Sequence, residues 1–181
     1  MPSGPDLRWQ RLLPFDHDFL YRGELGDLKD PDNPPNPPSY QDLRDAGVIA
    51  PEGDPDRYFD ADEQLAATWL RSRGLDVLSV DRRTGNAERT PDAVISGLPA
   101  TLETKTAVAT ENAIQARVRS GRGQSRRIVI DARAADAGLW IAQAGLDTAL
   151  RHYGQQLDEV SVILGDGTSL AWWCARKPRV I

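Results

Sequence analysis

The chain has 181 residues, of which 40% are hydrophobic and 27% charged, with a formal net charge of −5. This is the composition of an ordinary soluble domain with enough apolar material for a real core. No apolar run approaches the roughly 18–20 residues of a membrane helix. The single cysteine, Cys174, excludes an internal disulfide and a cysteine-built metal site, which suits a reducing compartment.

The first six residues, Met1 to Asp6, lack a basic start followed by an apolar stretch, so no secretory signal is expected. The charge is unevenly spread. Residues 1–63 hold 6 Lys/Arg against 15 Asp/Glu, a net of −9, whereas residues 64–181 hold 16 against 12, a net of +4. The second part therefore permits a polyanion partner.

The opening segment carries aromatics (Trp9, Phe15, Phe19, Tyr21) without a sustained helical or strand period. Five prolines fall within residues 31–38, a density that excludes helix and central strand and predicts an extended connector. Ser39 is placed to cap a short helix over 40–46, ended by Gly47. Residues 48–56 read as loop. The chain accordingly divides into an acidic, Pro-rich appendage or linker over 1–56 and a domain over 57–181.

Asp60-Ala61-Asp62-Glu63 has the form of a capping box, and Leu65, Ala66, Trp69 and Leu70 follow as an apolar stripe stopped by Gly74. A strand is expected over 75–83 and a turn at 84–87. Two short strands then surround Gly97-Leu98, completing an antiparallel meander. A turn centred there pairs residues whose numbers sum to 195, which sets Asp92 opposite Glu103. Glycine at its first position suits a II′ turn, although Pro99 has no N–H for the closing bond.

Thr110 caps a second helix ending at Gly121. Ile128-Val129-Ile130 reads as a buried strand, residues 137–153 as a third helix, and residues 160–164 and 169–175 as strands around Gly165-Asp166-Gly167. The order α-β-β-β-α-β-α-β-β implies a mixed sheet with helices on its faces, an α/β or α+β domain.

Side chains alternate along a strand, so Glu103 and Lys105 share a face. Opposed carboxylates at 92 and 103 repel each other, and a divalent cation between them would remove that penalty. Hard cations such as Mg²⁺ take oxygen ligands and keep waters for substrate. Lys105 is then placed to position or deprotonate a water, or to neutralise charge at phosphorus, and Glu63 to complete the shell. Each residue also has an ordinary structural role open to it. Glu63 suits the third position of a capping box, and Glu103 with Lys105 suits an exposed strand face. Arg117, Arg119, Arg122, Arg126, Arg127 and Arg133 cluster after these residues; Arg122, Arg126 and Arg127, with Gln124, are candidate substrate contacts. His152 suits a helix C-terminus, and with His17 far away no histidine site is suggested. Trp172 and Trp173 point to opposite faces of a strand and are read as packing residues.

Pro91-Asp92, ten intervening residues, then Glu103-Thr104-Lys105 after a helix bearing Glu63 resembles the PD-(D/E)xK nuclease superfamily, as does the α-β-β-β-α-β order. The resemblance covers about residues 60–132. Within that superfamily the pattern is most similar to the C-terminal nuclease domains of contact-dependent growth inhibition (CdiA-type) and related bacterial toxins. That resemblance implies a metal-dependent endonuclease with Asp92 and Glu103 on a divalent metal (Mg²⁺, or Mn²⁺), Lys105 as the catalytic lysine and Glu63 as the helix acid. It further implies tRNA as substrate, RNA being favoured over DNA, together with a cognate immunity protein. The site of action would be cytoplasmic, reached by delivery from another cell on a larger carrier. The alternatives are a DNA endonuclease of the restriction or repair kind, and a non-catalytic nucleic-acid or protein-binding module on the same fold.

Overall fold

In the computed structural model the described residues are 10–11, 19–21, 37–84, 89–174 and 180–181. Trp9, Phe15, His17, residues 31–36 of the proline run and residues 85–87 of the expected turn lie outside them. Among the described residues the strands and α-helices follow in order: β1 (Gln10–Arg11), β2 (Phe19–Tyr21), α1 (Tyr40–Asp45), α2 (Ala61–Ser72), β3 (Val77–Ser79), β4 (Ala93–Ile95), β5 (Ala100–Thr106), α3 (Glu111–Gly121), β6 (Arg127–Asp131), α4 (Leu139–Tyr153), β7 (Glu159–Ile163) and β8 (Ser169–Trp173). The strands form one mixed sheet in the order β1-β2-β8-β7-β6-β5-β4-β3. None of the described helices is long and apolar enough to cross a membrane.

Short turns dictate the antiparallel pairs and helical crossovers the parallel ones. Thus β3, β4 and β5 form the expected meander. The α3 and α4 crossovers set β6 parallel to β5 and β7 parallel to β6, and the hairpin at Gly167 returns β8 antiparallel to β7. The β4–β5 register pairs Ala93 with Leu102, Val94 with Thr101 and Ile95 with Ala100, so each pair sums to 195 as the sequence requires. The turn itself is different from the II′ expectation. Leu98 N–H donates to Ile95 O (3.3 Å), so Gly97 (φ +76°) is the third residue of the turn, where a type II turn demands a positive φ. Pro99 has no N–H to give, and Ala100 N–H donates to Leu98 O instead (2.7 Å).

Strand alternation builds two cores. Ile128, Ile130, Val160, Val162, Leu170 and Trp172 face α3 and α4, while Val129, Ile163, Leu102, Ala93 and Val77 pack with Ala67, Trp69 and Leu70 of α2. Burying both faces of β6 is what makes Ile128-Val129-Ile130 a continuous apolar run. Leu65 departs from the expected stripe of α2: it is 58% exposed. The helix buries Glu63, Ala66, Ala67, Trp69 and Leu70, so its inner face carries a carboxylate where the apolar pattern named Leu65.

The stretch 40–50, part of the acidic appendage or linker read from the sequence, packs onto the domain. Leu43 is buried with Leu78, Val80 and Val94, and Ala50 N–H donates to Ser79 O (2.8 Å). The Ile49–Val80 bridge then covers the outer edge of β3, which would otherwise present unpaired backbone groups. Ser39 caps α1 in a capping box with Asp42, and Gly47 follows it at φ +66°.

Candidate active site

The site arises because β4 is shorter than β5. Ala93, the first residue of β4, pairs with Leu102, while β5 continues to Thr106 alongside β6. From residue 103 onward, one edge of β5 has no strand partner. Asp92, just ahead of β4, fills part of the gap with its side chain: Thr104 N–H and Thr104 Oγ1 both donate to Asp92 Oδ2 (2.9 Å each). A carboxylate thus replaces a ladder carbonyl, which fixes one oxygen of Asp92 and leaves Oδ1 to meet Arg82.

Glu103 lies beneath, with no solvent exposure. Its Oε2 accepts from Asp92 N–H (3.2 Å) and its Oε1 from Lys105 Nζ. Lys105 Nζ also donates to Gln124 Oε1 (3.1 Å), and Gln124 Nε2 donates to Thr90 O (3.2 Å). Gln124 follows α3 at a tight bend, where Gln124 N–H and Ser125 N–H both donate to Gly121 O (2.9 and 3.0 Å). Side-chain room at this bend is tight. A Cβ at Gly121 would stand 3.1 Å from Ile128 Cδ1 and 3.3 Å from Glu103 Cγ.

The third acid comes from the other face of the sheet. Asp60 caps α2, accepting from Glu63 N–H (2.9 Å), and Glu63 Oε2 accepts from Asp60 N–H (2.9 Å). The remaining oxygen, Glu63 Oε1, is 2.7 Å from Arg82 Nη2, and Arg82 Nη1 is 2.7 Å from Asp92 Oδ1. Arg82 stands on a single 3-10 turn, Arg82–Thr84, after β3. Sequence reasoning missed it. Asp81-Arg82-Arg83 carries no period that distinguishes a site cation from a solvated turn, and Arg83 next to it is the solvated one, pairing with Asp81 at 80% side-chain exposure.

Three acids and two cations in one buried cluster perturb each other. Burial, and then the charge of Asp92, raise the Glu103 pKa to about 8 against the pull of Lys105 and Arg82. Burial followed by Asp92 raises Glu63 to about 7, opposed by its hydrogen bond from Asp60 and by Arg82. Burial and the neighbouring Asp92 thus outweigh the two cations in setting the charge state of Glu63 and Glu103.

Above them opens a pocket of about 210 Å³, lined by residues that include Glu63, Arg82, Asp92, Thr104, Lys105, Arg117 and Asp131. It adjoins a second hollow of about 410 Å³ with which it shares Asp62, Thr106, Arg117 and Asp131, and which adds Leu65, Val108, Arg133 and Ala134. The donor set suits a hard divalent cation, since Asp92 Oδ1 and Glu63 Oε1 already converge on a positive group. Among the described residues no three His, Cys, Asp or Glu side chains form a ready-made metal cage.

Of the residues singled out in the sequence, Glu63, Asp92, Glu103, Lys105 and Gln124 are brought together. Arg122, Arg126 and Arg127 are not among the residues lining either hollow. Arg122 is buried, donates to Gln156 Oε1 (3.0 Å) and stacks on Tyr153. Arg126 pairs with Asp158 at 3.1 Å, and Arg127 reaches Asp158 and Glu159 at 3.7 and 3.8 Å. Arg127 begins β6 and Asp131 ends it, so the pocket and this ion-pair cluster sit at opposite ends of the strand. Arg117, at an exposed position on α3, is the arginine of that group that lines both hollows.

Residues 89–169 match the model of a family described as the contact-dependent growth inhibition CdiA C-terminal domain. The matched segment contains Asp92, Glu103, Lys105 and Gln124, and leaves Glu63 and Arg82 outside. A solved structure titled "CdiA-CT/CdiI toxin and immunity complex from Burkholderia pseudomallei" is similar to the chain at 23% identity, covering 62% of this chain and 82% of that one with a TM-score of 0.44. No curated protein matches.

Proposed function

We propose that the chain is a metal-dependent nuclease of the PD-(D/E)xK type, acting as a contact-dependent growth inhibition toxin on tRNA and held in check by a cognate immunity protein. One observation carries the catalytic reading: the unpaired edge of β5 gathers Asp92, Lys105 and Glu63, from separate places in the chain, at one pocket, with Glu103 buried beneath them and bonded to Lys105. The element order α2-β3-β4-β5-α3-β6 supports the fold assignment. The family match over the segment that holds three of these residues supports the toxin reading. The choice of tRNA follows the sequence resemblance.

Asp92, with Glu103 behind it, would hold the metal, which when bound polarises a phosphoryl oxygen and makes its water more acidic. Lys105 supplies a fixed ammonium at the pocket wall. Glu103 and Gln124 hold Nζ from two sides, so its orientation is set before substrate arrives and little reorganisation is needed as charge grows on the phosphoryl oxygens. Glu63, anchored by one oxygen in the cap of α2, presents the other to the pocket. In hydrolysis, a water oxygen bonds to phosphorus as the bond to the leaving oxygen breaks; the water gives up a proton to solvent and the leaving oxygen takes one up from solvent. The adjoining hollow, with Leu65 and Val108 exposed and Arg117 at its border, suits the nucleoside and phosphate next to the scissile bond.

The test uses purified chain with total tRNA and with plasmid, in Mg²⁺ and in EDTA. Cleavage of tRNA in Mg²⁺, absent in EDTA and lowered at least about a hundredfold by Lys105→Ala, is expected on the scale of a lost charge-stabilising group. Cleavage of plasmid alone would make it a DNA endonuclease. Both substrates left intact under every condition would refute catalysis.

A further inference from the structure

The arginine that the sequence did not point to stands where a cation would. Asp92 Oδ2 is committed to Thr104 by two hydrogen bonds, so Oδ1 is the oxygen left to ligate anything else, and it is 2.7 Å from Arg82 Nη1. Glu63 is in the same position: Oε2 closes the cap of α2, and Oε1 is 2.7 Å from Arg82 Nη2. Glu103, below, has its oxygens on Lys105 and on Asp92 N–H. Every carboxylate oxygen available for a metal from Asp92 or Glu63 is thus occupied by one guanidinium.

We infer that Arg82 is a built-in counter-ion that shares one cation position with the divalent metal, so that metal binding displaces its guanidinium from Asp92 Oδ1 into the pocket, where it meets the substrate phosphate. The inference rests on the metal dependence proposed above. Leaving the guanidinium in place beside a bound divalent ion would set like charges against each other at one oxygen, and Coulomb repulsion on that scale weakens metal affinity roughly tenfold even at the dielectric constant of water. The side chain is able to leave, being 32% exposed and carried on a single 3-10 turn outside the sheet. Once displaced, it lies in the hollow that its own side chain lines together with Lys105 and Arg117, three positive groups of which Arg82 has the planar fork suited to a phosphate. Without metal, the same residue neutralises two buried acids and keeps the apo site folded.

The test measures Mn²⁺ affinity of the full chain by calorimetry, checked by the spin-resonance signal of free Mn²⁺. Arg82→Gln is expected to bind Mn²⁺ about tenfold more tightly than the wild type, while Arg83→Gln, one residue on and paired with Asp81, stays at the wild-type value. In EDTA the Arg82→Gln chain melts lower than the wild type, and saturating Mn²⁺ narrows the gap. A second measurement needs no variant: on titrating wild-type chain with Mg²⁺, the Arg82 side-chain Nε–Hε resonance shifts with the same midpoint as metal binding. If Arg82→Gln binds Mn²⁺ no more tightly, or the resonance stays put at metal saturation, the exchange of cations is refuted and metal binding stands. If wild type and variant both fail to bind Mn²⁺, this inference falls together with the metal dependence of the proposed function.

Discussion

Glu103→Gln tests whether the site carries a surplus of buried negative charge. In the folded protein the Glu103 pKa is raised from 4.5 to about 8, first by burial and then by Asp92. The sign follows directly. Between those values the unfolded chain has released the proton that the folded chain still holds, so the unfolded state binds fewer protons and stability falls as pH rises. The contribution is fully present below about pH 4.5 and is gone above about pH 8. At about 1.36 kcal/mol per pKa unit the full shift is worth an upper limit of about 5 kcal/mol. That ceiling already includes the pull of Lys105; local relaxation and water entry lower the cost of a buried charge below it, so about 2 kcal/mol is the expected loss between about pH 5 and pH 8.5. The amide introduced by Glu103→Gln cannot titrate, and this slope disappears with the carboxyl. Glu63, raised to about 7 by burial and Asp92, has the same sign and leaves a shallower residual slope. The acids held below their usual range, Asp42 and Asp81, act below about pH 4 and do not enter the window. The assay is urea unfolding in EDTA at half-unit steps over the same range, comparing slopes. Absolute stability is the wrong readout, because a glutamine amide cannot accept from both Lys105 and Asp92 N–H and loses about 1–3 kcal/mol at every pH. A Glu103→Gln chain with the wild-type pH slope would refute this account of what sets the charge state of Glu103.

Two further outcomes follow from particular contacts. Gly145→Ala puts a methyl 2.7 Å from Glu111 O and 2.9 Å from Ile114 Cβ, so α3 and α4 must part; a loss of about 1–3 kcal/mol in urea unfolding is expected, and an unchanged midpoint would show that the helices do not pack this closely. Arg117→Ala weakens RNA binding and lowers the slope of log affinity against log salt by about 1, read from filter binding at several salt concentrations; Arg126→Ala, whose guanidinium is tied to Asp158, leaves that slope unchanged.

The hairpin was legible because its register is a local property. A glycine able to take positive φ, flanked by two alternating segments of matched length, admits one pairing that buries Ala93 with Leu102, and that pairing fixes where Asp92 and Glu103 must meet. The helix starts were legible for the same reason: a cap is written within four residues, as at Asp60 and Thr110. The arginines were not. Arg126 and Arg127 look like a basic patch until Asp158 and Glu159, some thirty residues later, arrive at the neighbouring strand and neutralise them. Arg82 is the converse. Nothing near it in sequence is acidic enough to hold it at a site except Asp81, which holds Arg83 instead. Its partners are Glu63, about twenty residues earlier on a helix, and Asp92, ten later, and only the packing of α2 against the sheet brings them within reach of one guanidinium. Leu65 failed the apolar stripe because a period-3.6 pattern cannot tell the centre of a helix's buried face from its border, and here the border opens on a hollow.

Glu63 shows why a structural and a chemical role need not compete. Read from the sequence, the third residue of a capping box explains itself, and a catalytic assignment looks superfluous. A carboxylate has two oxygens, however, and the cap uses one. Oε2 satisfies the Asp60 N–H that the start of α2 leaves without a helical partner. That bond holds the side chain nearly still, with 9% of it exposed, and so aims Oε1 at Arg82 without further support. The cap therefore lowers the entropy lost when this oxygen meets a cation, which is the preorganisation a site on a long, flexible acid would otherwise lack. Asp92 obeys the same rule, one oxygen stitched to β5 by Thr104 and the other paired with Arg82. In both residues the bond that completes the secondary structure also sets which oxygen meets Arg82, so removing the cap at Asp60 or the hydroxyl at Thr104 disturbs this ion-pair cluster through the fold.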